Sequence, residues 1–409
     1  MSENESFTDT ATDIPESIND NPGAQEDIAP QKETTITEEA KTEQEQTVEI
    51  PQTNTQEAEY YRQPYYSTAV AVVKDAEQYK AENEIVTPEK MYKKTIRGIF
   101  LILCTFPILS IIAVLPVFVY GILSLASPSA SAAGDDLSYI LSFAVPQLLY
   151  PILTALASVF MVTVAKRKVK NTVKISNAPA VDALLAVGAF LGIGTVGSYI
   201  SEFITNFIIS LGVPVPDMEE YIPSPESPLQ FALYLIVIAI MPAICEEFIF
   251  RGVICGLIKE YNTTAAIILS ALAFSLVHAT VQQIPFAFLM GLFLGYLYVK
   301  YDTLLIGIIL HFINNFISCI FSVLYGKLPE ETYTVLYTVY DIATVAIGTI
   351  CLVIFIVRRI KERKENHEKQ IAPVYGGKLV GATLSSWAMW LFIVIFTLET
   401  AANILLMAY

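Results

Sequence analysis

Most of this chain can be housed only in a membrane. From about residue 98 to residue 408 it runs as nine predominantly apolar stretches, at about 98–125, 137–165, 181–211, 229–258, 264–280, 285–300, 303–325, 334–358 and 379–408. A helix needs about 20 apolar residues to cross ~30 Å of hydrocarbon, and in lipid its backbone must satisfy its own polar groups. The expected fold class is therefore all-α, a polytopic membrane bundle of about eight or nine transmembrane helices. Hydrophobic residues make up 54% of the chain and charged residues only 16%, less charge than a soluble protein of this length carries. The fifth and sixth stretches are short. Only Val281-Gln282-Gln283-Ile284 separates them before Pro285, so they read as a tight helical hairpin.

The net charge of −15 belongs to one end. Residues 1–60 hold 16 Asp and Glu against Lys32 and Lys41, leaving the remainder near neutral. This segment is rich in Glu, Thr, Gln and Asn and too poor in apolar residues to build a core. The domain reading is a disordered acidic cytoplasmic tail over 1–95 and a transmembrane domain over 96–409. The polar, acidic opening residues give no expectation of a signal peptide. Cys104, Cys245, Cys255, Cys319 and Cys351 all fall in apolar stretches, which favours buried free thiols over a disulfide framework.

Basic residues set the orientation. Lys90, Lys93, Lys94 and Arg97 precede the first stretch, and Lys166, Arg167, Lys168, Lys170 and Lys174 lie between the second and third. Lys259 follows the fourth, Lys300 the sixth, and Arg358, Arg359, Lys361, Arg363 and Lys364 the eighth. Counting crossings puts all of these on one side, the cytoplasmic one, with the N-terminus. The opposite loops are acidic or neutral.

Against this apolar background one segment stands apart: Pro242-Ala-Ile-Cys-Glu246-Glu247-Phe-Ile-Phe-Arg251-Gly252. Each such charge costs roughly 2.5–3.5 kcal/mol at the bilayer centre, so something must neutralise or use it. Successive helical residues point about 100° apart, so the two glutamates cannot share a face. Arg251 follows Glu247 at the four-residue spacing where side chains meet. Glu247 and Arg251 are expected to pair, leaving Glu246 free, and Pro242 should kink the helix nearby. Of the three histidines, His367 lies in the basic loop and reads as a solvated surface residue. His278 and His311 lie inside apolar stretches, and Asn315 shares a face with His311. At 1.5 Å per residue from the cytoplasmic end, Glu246 sits roughly 17 Å deep, His311 roughly 14 Å and His278 roughly 21 Å. One carboxylate, two imidazoles and a carboxamide thus reach one layer.

Two chemistries fit this set. A carboxylate beside an imidazole can deprotonate water, while a second imidazole and an amide donate to an oxyanion. Alternatively, Glu246, His278 and His311 could ligate a divalent metal such as zinc, although no HExxH is present. A proton-coupled transporter is a further reading, kept open by Glu202, Asp341 and Glu399 within or near the stretches, although no inverted repeat accompanies it.

The three segments together resemble the CPBP family of CAAX proteases and bacteriocin-processing proteins, also called the ABI family. Its pattern of EExxxR, FxxxH and HxxxN/D on successive helices is matched in order by Glu246-Glu247-Phe-Ile-Phe-Arg251, Phe274-Ser-Leu-Val-His278 and His311-Phe-Ile-Asn-Asn315. The resemblance covers about residues 180–325. It implies an intramembrane endopeptidase acting on a membrane-associated or lipidated protein or peptide. Glu246 would activate water with help from His278, His311 and Asn315 would stabilise the oxyanion, and Glu247 and Arg251 would support the site. The family is described both as metal-dependent and as metal-free, so the metal stays open here. The partners implied are the bilayer and a membrane-associated substrate, with no nucleic acid. A non-catalytic scaffold or immunity protein of the same fold is the alternative.

Overall fold

The computed structural model describes residues 88–126, 135–165, 167–169, 173–215, 222–365 and 376–407. The acidic tail up to residue 87, His367 and the acidic stretch beginning at Asp217 lie outside them. Every regular element among the described residues is helical. In chain order they are α1 (Pro88–Leu103), α2 (Phe106–Ala126), α3 (the pieces Asp135–Tyr139, Ile140–Ala144 and Val145–Val164) and α4 (Ala180–Ser210). Then come α5 (Pro228–Lys259), α6 (Thr263–Leu276), α7 (Ile284–Tyr301), α8 (Leu305–Tyr325), α9 (Glu330–Glu365), α10 (Gly376–Leu384) and α11 (Trp387–Met407).

Among the described residues eight helices are long and apolar enough to cross a membrane, which makes this a multi-pass membrane protein. The fifth expected crossing, α6, has 14 residues and spans only ~21 Å. It stops because the chain turns at Val277 and His278, and Ala279 then adopts φ 50°. The α6–α7 hairpin expected from the sequence is present, with its tip short of a full crossing. A hairpin returns to its own side however deep its tip reaches, so the grouping of basic ends is unaffected.

Two other expected spans are interrupted. Pro107 cannot donate to the carbonyl four residues back, and the first span breaks into α1 and α2 at Cys104 and Thr105. α1 begins at Pro88, ahead of residue 96, and buries Tyr92, Ile96, Ile99, Phe100 and Leu103. That face meets the C-terminal helices: Tyr92 Oη lies 2.6 Å from Thr383 Oγ1, and Phe100 packs against Phe392. The last span breaks at Ser385 and Ser386 into α10 and α11.

One end of the bundle is laced by charge. Arg167 pairs with Glu260, Lys174 and Lys259 both reach Asp302, and Lys300 and Arg359 share Glu362. Arg358 Nε donates to Asp182 Oδ1 at 3.1 Å, and Tyr301 Oη donates to Asp182 Oδ2 at 3.0 Å. Burial alone would raise the Asp302 carboxyl, but the two lysines hold it below the usual carboxylate range. These pairs gather the ends of α3, α5, α7 and α9 and the start of α4 on one side.

α4 and α9 pack closely enough that neither tolerates a side chain at the crossing. A Cβ built on Gly348 would lie 2.6 Å from Gly192 Cα and 2.8 Å from Gly188 O. Small residues that allow such approach are the usual glue between membrane helices. Gly348→Ala should therefore force the helices apart and cost about 1–3 kcal/mol, read as a lower thermal unfolding midpoint in detergent. Gly98→Ala, whose Cβ would meet nothing within 4 Å, should leave that midpoint unchanged or raise it.

Candidate functional site

α5 carries the three intramembrane charges, and it is not a uniform helix. It is π-helical over Ile236–Ile240 and again over Glu247–Cys255. Such wide turns inside α-helices are rare and occur often at functional sites. The first lies just before Pro242. Pro242 has no N–H for the carbonyl four residues earlier, Ile238 O, and that carbonyl accepts instead from Asn315 Nδ2 of α8 at 3.1 Å. Asn315 Oδ1 in turn accepts from Asn314 Nδ2 at 3.2 Å.

Glu247 and Arg251 pair as their spacing predicts. Arg251 Nη1 donates to Glu247 Oε1 at 2.7 Å, with side-chain exposures of 1% and 0%. His311 Nδ1 donates to the same oxygen at 3.1 Å, because an ionised carboxylate can only accept. Glu247 Oε2 has no hydrogen-bond partner among the described residues, nor do Arg251 Nε and Nη2. What lies against them is specific. Arg251 Cζ stands 4.3 Å over the Phe274 ring, a cation–π contact that partly stands in for lost solvation. A Cβ on Gly307 would lie 2.7 Å from Glu247 Oε2, so only glycine fits there.

Glu246 turns away from this pair. Its side chain is 26% exposed, and its Oε2 lies 3.8 Å from His311 Nε2. That is too long for a hydrogen bond and suits a bridging water. His311 thus stands between the two glutamates, one nitrogen toward each.

His278 reaches the cluster through Phe274. Its Nδ1 donates to Phe274 O at 2.7 Å, so Nε2 carries the lone pair of the neutral ring. The Phe274 ring meets His278 edge-on at 5.0 Å and His311 at 5.9 Å between centroids. One aromatic ring therefore touches the guanidinium and both imidazoles. Direct hydrogen bonds join Glu247, Arg251 and His311; Glu246 faces His311 across 3.8 Å, Asn315 bonds to the α5 backbone at Ile238, and His278 joins by stacking.

Among the described residues no group of three or more His, Cys, Asp or Glu is arranged to hold a metal ion. Glu246, His278 and His311 do not form a ready ligand set.

A family model described as Type II CAAX prenyl endopeptidase Rce1-like matches residues 228–317. Over that segment the chain is similar to this Rce1-like family, consistent with the CPBP resemblance. The matched segment runs from the start of α5 into α8 and contains all six polar residues above. It supports a CAAX-type intramembrane protease in general terms. No curated protein and no solved structure matches the chain.

Around the matched motifs the structure adds residues that the sequence alone did not mark. Gly307 lies one turn before His311, and Ile238 lies four residues before Pro242, so both were recoverable from helical spacing. Phe274 was visible as a motif letter without a role. Tyr150 of α3, within electrostatic reach of both Glu246 and Glu399, carried no sequence signal.

Removing one member of a buried pair strands the other charge and costs about 3–5 kcal/mol. Arg251→Leu should therefore lower the unfolding midpoint in detergent sharply, and the double variant Glu247→Gln/Arg251→Leu should recover much of the loss. Gly307→Ala should also lower it, by pressing a methyl onto Glu247 Oε2.

Proposed function

We propose that this protein is an intramembrane endopeptidase that hydrolyses a peptide bond of a membrane-associated or lipidated protein or peptide, with water activated by Glu246. The observation that carries this reading is the contrast between the two adjacent glutamates. Glu247 is sealed and neutralised by Arg251, whereas Glu246 is the accessible carboxylate, with an imidazole nitrogen 3.8 Å away. A base needs access to water and a nearby proton-accepting or proton-donating group, and Glu246 has both.

In this mechanism Glu246 takes a proton from a water held between it and His311, with His278 Nε2 assisting from the α6 tip. The hydroxide adds to the scissile carbonyl. His311 Nε2, 3.8 Å from Glu246 Oε2, receives that proton from Glu246, donates it in a hydrogen bond to the oxyanion while Glu247 Oε1 holds its other nitrogen, and hands it back to Glu246 as the intermediate collapses. Asn315 has one amide N–H on Ile238 O and a second to offer the oxyanion. Collapse breaks the C–N bond, and Glu246 returns its proton to the leaving amine. The family match supports lipidated CAAX-type tails as the substrate class. The basic residues gathered at one end support a cytoplasmic N-terminus.

The test uses the full chain in liposomes and a fluorogenic peptide ending in a farnesylated CAAX sequence. Glu246→Gln should lose cleavage by about 10²–10⁴-fold with an unchanged unfolding midpoint. A folded Glu246→Gln protein that still cleaves would overturn the mechanism. A wild-type protein that binds such peptides without cleaving any would favour a scaffold of the same fold.

A further inference from the structure

The last helix lies outside the matched core, yet it reaches the residue that follows His278. Ala279 adopts φ 50°. A side-chain-bearing residue pays about 1–2 kcal/mol for the left-handed region, and such strain persists only where neighbours enforce it. Ala279 is buried, at 4% exposure, and its carbonyl lies beyond the end of helix α6. At membrane depth that carbonyl needs a partner, and water is scarce. Asn403 of α11 supplies it, with Nδ2 donating to Ala279 O at 3.0 Å.

The backbone on either side of this bond is what sets the histidine. His278 N bonds to Ser275 O and Ala279 N to Leu276 O, both in tightened turns. The imidazole is held by one bond, to Phe274 O. If Ala279 relaxed to the right-handed region, the peptide joining it to His278 would rotate and carry the ring off Phe274. The same face of α11 carries a second polar residue. Glu399 lies one turn before Asn403, and its Oε2 is buried without a hydrogen-bond partner among the described residues.

We infer that Asn403 is a positioning residue of the site: by holding Ala279 in its left-handed turn, it fixes the orientation of His278, so α11 is part of the machinery and more than a lipid-facing helix. The kinetic consequence rests on the peptidase reading above; the geometric one does not.

The experiment compares full-length wild type, Asn403→Leu, and Asn403→Leu/Ala279→Gly in detergent. Reaction of each histidine with diethylpyrocarbonate is followed by peptide mass spectrometry. Asn403→Leu should raise the His278 rate about tenfold while leaving His311 unchanged, the size expected when a strained turn is released. Adding Ala279→Gly should reverse this, because glycine takes positive φ without strain. On the farnesylated peptide, kcat should fall about tenfold in Asn403→Leu with KM unchanged and recover in the double variant. An unchanged His278 rate in Asn403→Leu overturns the inference, as does a raised rate that Ala279→Gly fails to reverse. If His278 responds as expected but no variant, wild type included, cleaves the peptide, the positioning inference stands and the CAAX-type substrate reading fails.

Discussion

Everything in the core is arranged around one buried ion pair. Glu247 and Arg251 are almost wholly removed from solvent, and charges in that setting persist only with close partners. Their four-residue spacing brings them together on α5. The rest of the enclosure comes from other helices: α6 lays Phe274 against the guanidinium, and α8 brings His311 to Oε1 and the bare backbone of Gly307 to Oε2. The pair thereby fixes the relative placement of α5, α6 and α8. It also sums to zero charge, so the unbalanced charge of the layer rests on Glu246.

A second constraint is the backbone. Wherever a helix is broken at membrane depth, a freed polar group appears, and lipid offers no partner. Here the partners are side chains from neighbouring helices. Asn315 takes the Ile238 carbonyl opposite Pro242, and Asn403 takes the Ala279 carbonyl beyond α6. Ser201 of α4 accepts from Phe286 N at 3.0 Å, in the first turn of α7, where no intrahelical acceptor exists. The breaks at Pro242 and Ala279 lie beside Glu246 and His278, so the irregular backbone near the site also dictates which helices surround it.

Much of this was legible in the sequence because it rests on local periodicity. Apolar runs gave the helices, and the i,i+4 rule gave Glu247 with Arg251. Depth counting placed Glu246 and His311 in one layer. Where the reading fell short, the cause was non-local or conformational. The fifth span ends early because Ala279 turns left-handed, which no alanine announces. The two π-helical stretches of α5 follow no residue code, although Pro242 marked the neighbourhood. Asn315 bonds to a carbonyl that only the proline break sets free. Asn403 lies over a hundred positions from the turn it holds, and a single apolar sequence offers no signal for such a pairing.

The two histidines show how identical side chains acquire different work. Both donate from Nδ1, so in the neutral ring both present a lone pair at Nε2. Their acceptors differ: His278 donates to the neutral Phe274 carbonyl, and His311 to the carboxylate of Glu247. A proton gained by His278 would have no anion on its far side. A proton gained by His311 would lie between Glu246 and Glu247, with Arg251 already sharing the second. In a hydrolytic cycle this favours His278 for transient assistance and His311 for carrying positive charge while an oxyanion exists. Because Arg251 and His311 share Glu247 Oε1, the buried pair bears on the chemistry through His311 without touching a substrate.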